Sequence, residues 1–96
     1  MKKLVIAIDF DGTIVTNKYP DIGHLKRNAK DVINKLYDEG HDIIINSCRQ
    51  GREEREMVEF LIDNEIKFNA VNENLCYRIE EYDNDCRKIG ADVYID

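Results

Sequence analysis

The sequence predicts an α/β fold in which short strands and amphipathic helices alternate and pack in layers. Three observations carry that prediction. Apolar runs rich in Ile and Val recur at residues 4–8, 43–45, 68–71 and 93–95, with stretches of helical period between them. The first two runs are continuously apolar, which suits strands covered on both faces of a parallel sheet. No internal repeat or low-complexity tract interrupts the alternation, and Pro20 is the only proline. Right-handed crossovers then follow from the twist of the strands.

Taken in order, the first strand is residues 4–8, and it ends where Asp9 breaks the apolar run. Residues 12–25 form a long connection, a length that often carries function, in which Ile14, Val15 and Tyr19 suit a small hairpin. Ala29, Val32, Ile33, Leu36 and Tyr37 recur at i, i+3, i+4, i+7 and i+8, the stripe of a helix facing a core. Asn28 is the expected N-terminal cap of that helix, and Gly40 its C-terminal stop. The second strand follows at 43–45. A second helix is expected over 52–63, with Met57, Phe60 and Leu61 inward and Glu53 and Glu54 favouring its N-terminus. Residues 73–86 are ambiguous, with one helical turn around Ile79, and the last strand is 93–95.

The 96 residues, 43% hydrophobic and 35% charged, predict one domain with a small core under a well-solvated surface. Twenty acids against fourteen bases give a net charge of −6, which lacks the basic footprint of nucleic-acid binding. An acidic chain acting on a phosphorylated substrate needs a cation to offset like-charge repulsion. Cys48, Cys76 and Cys86 are an odd, sparse set, which fits a reducing compartment and a cytoplasmic protein. The opening apolar run is too short for a signal peptide or membrane span. His24 and His41 have no metal-ligand spacing, and no phosphate-binding or dinucleotide-binding glycine motif occurs.

The chemistry lies at the strand ends. The first run ends in Asp9-Phe10-Asp11-Gly12-Thr13, the second in Asn46-Ser47-Cys48-Arg49, and the last in Asp96. In an open parallel sheet the carboxyl ends share one edge, where ligands bind. Clustered carboxylates repel, and a hard divalent cation relieves that repulsion. Oxygen-only donors favour Mg²⁺ over Zn²⁺, and Mg²⁺ typically completes its shell with water and substrate phosphate. Phosphoryl chemistry is therefore the leading reading: one carboxylate attacks phosphorus and the other moves a proton. Ser47 offers a hydrogen bond to a phosphoryl oxygen, and Lys88 a neutralising charge, with Lys26, Lys30 and Arg87 as competitors. Arg49 either touches phosphate or pairs with an acid near the second helix. Asn72 and Asn74, after the third run, read more readily as loop hydrogen-bonders than as site residues.

Asp9-Phe10-Asp11-Gly12-Thr13 after a strand resembles the first motif of the haloacid dehalogenase-like (HAD) superfamily phosphatases. Ile43-Ile44-Ile45 leading to Ser47, with Arg49 two residues on, is similar to the second motif. The segment from Arg87 and Lys88 to Asp96 is similar to the lysine third motif running into the acidic fourth. The resemblance implies a Rossmann-like three-layer sandwich with sheet order 4-1-2-3 and no cap domain. It implies Asp9 as a nucleophile forming an aspartyl-phosphate, and Asp11 as general acid/base with its main-chain carbonyl on Mg²⁺. It further implies Ser47 and Lys88 on the substrate phosphate, where Arg49 is a third candidate from its position, and Asp9, Asp11 and Asp96 at the metal. The family usually carries a second acid just past the position of Asp96, then a further strand. Either the natural chain is longer, or the metal site is incomplete.

A Mg²⁺-dependent phosphomonoester hydrolase is thus the expected function. The alternative is a HAD-like module that binds metal, phosphate or a partner protein without turnover. A response-regulator receiver fits less well, because its phospho-acceptor sits on a later strand, where this chain has Asn72.

Overall fold

The structure, a computed structural model, describes residues 3–72 and 91–96. Its elements run β1 (Val5–Asp9), α1 (Ala29–Asp38), β2 (Asp42–Asn46), α2 (Gly51–Asp63), β3 (Ala70–Val71) and β4 (Val93–Ile95). The four strands form one sheet in the order β3-β2-β1-β4, every pair parallel. This is the expected Rossmann-like order with the first strand inside the sheet. The expected turn around Ile79 lies outside the described residues, as do Cys76, Cys86, Arg87 and Lys88.

Strand alternation divides the core. Ile6 and Ile8 of β1, with Phe10 just past its end, meet Ile43 and Ile45 of β2, and Ile33, Met57 and Leu61 of the helices close over them. Val5, Ala7, Ile44 and Ala70 form the second cluster, as a period of two requires. Residues 43–45 are fully buried, which is why their run reads as continuously apolar.

Helix α1 stops as expected. Gly40 takes φ +99°, its N–H reaches the Tyr37 carbonyl (3.0 Å), and the His41 N–H reaches that of Leu36 (3.2 Å). These two bonds satisfy carbonyls that the helix end leaves over, and only glycine adopts that φ cheaply. The start differs from expectation: Asn28 occupies the cap position at φ +69° but makes no side-chain capping bond. The inward stripe is also narrower than its periodicity suggests. Ile33 is buried, whereas Val32 and Tyr37 are 51% and 36% exposed. Val32 borders an apolar groove of about 230 Å³, shared with Ile8, Ile14, Ile33 and Ile95.

In the long connection Ile14 and Val15 are fully buried, but the hairpin partner of Val15 is Leu25, not Tyr19. His41, read as having no metal role, is buried, and its Nδ1 accepts the Leu4 N–H at 3.1 Å. No helix of the described residues is long and apolar enough to cross a membrane.

Candidate active site

Parallel pairing brings the chemistry-bearing residues to one edge. The register sets Asp9 beside Asn46 and Ile8 beside Ile95, so the next residue after each strand, Ser47 and Asp96, continues at the same carboxyl rim. Asp9 is half-buried at the end of β1. Immediately after it the chain makes one tight turn, in which the Phe10 carbonyl accepts from the N–H groups of Thr13, Ile14 and Val15 (3.2, 2.9 and 3.2 Å). Gly12, at φ +88°, allows that turn and donates to the Val15 carbonyl at 2.8 Å. Phe10, the residue between the two acids, is fully buried and anchors the turn to the core.

Burial raises the pKa of Asp9 above the usual 3.8. A main-chain hydrogen bond from Phe10 opposes the rise, and the negative charges of Asp11 and Asp96 add to it. An acid with a raised folded-state pKa destabilises the fold once it ionises, and not below the unfolded value. Asp9→Asn should therefore raise Tm of the metal-free protein at neutral pH. The gain should vanish below pH 3.8, where Asp9 is protonated whether folded or not. Thermal unfolding in EDTA at several pH values checks this, and an unchanged Tm at neutral pH would remove the repulsion argument.

Ser47 is half-buried and held on two sides. Its N–H donates to Asn72 Oδ1 at 2.6 Å, and its Oγ accepts the Arg49 N–H at 2.9 Å. With that lone pair occupied, the hydroxyl proton is left to donate outward, the polarity a phosphoryl oxygen requires. Asn72 also donates to the Arg49 carbonyl (3.3 Å) and to Glu54 (3.1 Å), so one amide fixes the loop after β2. Asn72 is thus a loop hydrogen-bonder, as its place after the third run suggests. The available signal was its position, an amide just past a strand end on the binding edge.

Arg49 pairs with an acid, one of its two expected roles, and the acid is Asp11. Its side chain is fully buried, and its guanidinium holds both oxygens of Asp11 (2.8 and 2.7 Å). The remaining bonds go to the carbonyls of Pro20 (3.1 Å) and Asp21 (2.8 Å). This pairing is the acid-binding alternative of the two roles expected for Arg49. The hydrogen bonds to Asp11 hold the guanidinium still more firmly protonated, against the opposing effect of burial. Lys26 is exposed, and its amine donates to the Gly12 carbonyl at 2.6 Å, beside the Asp11 turn. Lys88 lies outside the described residues.

A model of the haloacid dehalogenase-like hydrolase family matches residues 6–86 of this sequence, most of its length. The chain belongs to that family. The match takes in Asp9, Asp11, Ser47 and Arg49 of this HAD-like hydrolase, and ends before Lys88 and Asp96. The chain is also similar to a solved structure, a conserved protein from Bacteroides thetaiotaomicron, at 36% identity and a TM-score of 0.88. That similarity covers 99% of this chain and 76% of the other. A search of curated proteins finds no match.

HAD-like hydrolases generally use Mg²⁺, and the donors present suit it. They are oxygen atoms, and burial of Asp9, with a smaller addition from the negative charges of Asp11 and Asp96, disfavours its ionised form, which a cation would relieve. Among the described residues no three acidic, His or Cys side chains are grouped to hold a metal together. The residues that would hold such an ion at this rim are Asp9 and Asp96, with the main-chain carbonyl of Asp11.

Proposed function

We propose that this HAD-like hydrolase is a Mg²⁺-dependent phosphomonoester hydrolase that works through an aspartyl-phosphate on Asp9, within a single domain without a cap. The observation that supports this most is the shared rim: Asp9 at the end of β1, Asp11 in the turn after it, and Ser47 past the adjacent end of β2.

A carboxylate oxygen of Asp9 attacks phosphorus, and the phosphorus–oxygen bond to the leaving group breaks. Asp11 enters this step protonated on a lone pair that Arg49 leaves open and gives that proton to the leaving oxygen, and Ser47 donates a hydrogen bond to a non-bridging phosphoryl oxygen. In the second half Asp11 takes a proton from water as that water attacks phosphorus. Inorganic phosphate leaves and the Asp9 carboxylate is restored. Asp9, Asp96 and the Asp11 carbonyl would hold Mg²⁺, which would supply positive charge against the phosphoryl oxygens. Lys88 is the proposed lysine partner of the same oxygens.

The test is phosphate release from a panel of aryl, sugar and nucleoside monophosphates, with Mg²⁺ and with excess EDTA. Release is expected with Mg²⁺ and should fall to background in EDTA, since the metal offsets the repulsion between an acidic site and an anionic substrate. Mg²⁺ binding without release from any member of the panel would overturn the proposal in favour of a non-catalytic module.

A further inference from the structure

Arg49 joins three parts of the molecule that are remote in sequence. It arises from the Ser47 loop, its N–H bonded to Ser47 Oγ and its carbonyl to Asn72. Its guanidinium chelates Asp11, 38 positions earlier, and also takes the carbonyls of Pro20 and Asp21. Aromatic rings flank it, with the guanidinium carbon 5.4 Å from the Phe10 centroid and 5.2 Å from that of Tyr19.

Residues 19–21 are the outer part of a hairpin. Its neck is closed by the Thr16 N–H to the His24 carbonyl (2.8 Å) and the His24 N–H to Thr16 Oγ1 (2.9 Å). Gly23 packs so closely on Thr16 that a Cβ would run into the Thr16 carbonyl. The hairpin is thus internally well defined at its neck, and its outer part is tied down through Arg49.

A buried ion pair is weak evidence for stability, because apolar residues of similar volume often do as well. What the planar fork supplies is orientation: two parallel N–H bonds fix the plane of a carboxylate as one bond cannot. Each carboxylate oxygen retains a further lone pair. The Asp11 side chain is 19% exposed while that of Arg49 is wholly covered, so Asp11 still presents an open edge.

We propose that Arg49 is the positioning residue for Asp11, and that by gripping Pro20 and Asp21 in the same fork it makes hairpin seating and acid orientation one event. The proposal rests on the phosphatase reading for the role of Asp11, and on the contacts alone for the coupling.

The experiment compares two substrates with Mg²⁺. 4-Nitrophenyl phosphate leaves without needing a proton, whereas an alkyl phosphate needs one. Arg49→Lys keeps a charge but loses the fork. General acid catalysis is worth about 10²–10⁴-fold, so Arg49→Lys should slow the alkyl ester at least about ten-fold more than the nitrophenyl ester. In an Asp11→Asn background, adding Arg49→Lys should leave that ratio unchanged. Equal slowing of both esters would mean a merely structural role and would overturn the proposal. Hydrogen exchange on Asp11→Asn and Arg49→Lys provides a readout independent of turnover. Exchange at the Thr16 and His24 amides should rise about ten-fold or more, with the α2 amides unchanged. If the wild type releases phosphate from neither ester, the phosphatase reading fails by itself, and this exchange measurement decides the coupling. If Arg49→Lys does not fold, exchange in Asp11→Asn decides it, and unaltered hairpin protection there overturns the proposal.

Discussion

Asp9→Asn is expected to reduce phosphate release by at least about a thousand-fold while leaving the fold intact, because loss of a covalent nucleophile is among the costliest single changes in an enzyme. The carboxamide matches the carboxylate in size, so the packing at the end of β1 has no reason to change. It lacks the negative oxygen that the proposed mechanism uses to attack phosphorus, and the register neighbour on β2 is Asn46, which cannot replace it. Steady-state release of phosphate, with circular dichroism as the control for folding, checks this. Turnover within ten-fold of wild type would remove Asp9 as nucleophile while leaving the fold assignment untouched. The same substitution is expected to stabilise the metal-free protein, and the two opposite effects together distinguish a functional carboxylate from a structural one.

The largest effect on stability is expected from the residue between the two acids. Phe10 is fully buried, lies edge-on to Phe60 (centroids 6.0 Å apart, planes at 79°), and has the Arg49 guanidinium over its ring. Phe10→Ala should cost about 3–5 kcal/mol, the usual range for removing a buried ring that its surroundings cannot fill. Domains of this size have only about 5–15 kcal/mol in total, so an appreciable unfolded population is expected at 37 °C. Urea unfolding at constant m reads the loss, and Phe10→Leu, which leaves a smaller void, should cost well under half as much. A loss below about 1 kcal/mol for Phe10→Ala would mean that the turn relaxes to fill the space.

Much of this architecture was legible because its signals are local and periodic. Residues 43–45 could be read as a doubly covered strand from three consecutive isoleucines, and the stop of α1 from a single glycine. The carboxyl rim followed from what terminates each run. The contributions that sequence did not disclose arise from bonds without a period. A guanidinium becomes buried at Arg49 only because a carboxylate at Asp11 and the carbonyls of Pro20 and Asp21 arrive together. Nothing in the neighbourhood of Arg49 along the chain records that. Asn72 is similar: its importance lies in accepting the Ser47 N–H from 25 positions away. The outward placement of Val32 and Tyr37 has a different origin. Periodicity gives the direction in which a helix faces, whereas the width of the face is set by what packs there, and β4 contributes just three residues.

The pairing of β1 with β4 has a consequence in time. Asp92 Oδ2 accepts the Val5 N–H at 2.9 Å across 87 residues of sequence, and Val93 to Ile95 lie along Ile6 to Ile8. Closing so long a loop adds little to the equilibrium cost, which grows only with the logarithm of its length. It weighs on the search instead: proteins dominated by distant pairings cross their folding barrier slowly, and parallel ones are exposed to misassociation meanwhile. During synthesis one flank of β1 therefore waits for nearly ninety further residues to leave the ribosome, and a nascent chain arrested before that point holds Asp9 in an unfinished sheet.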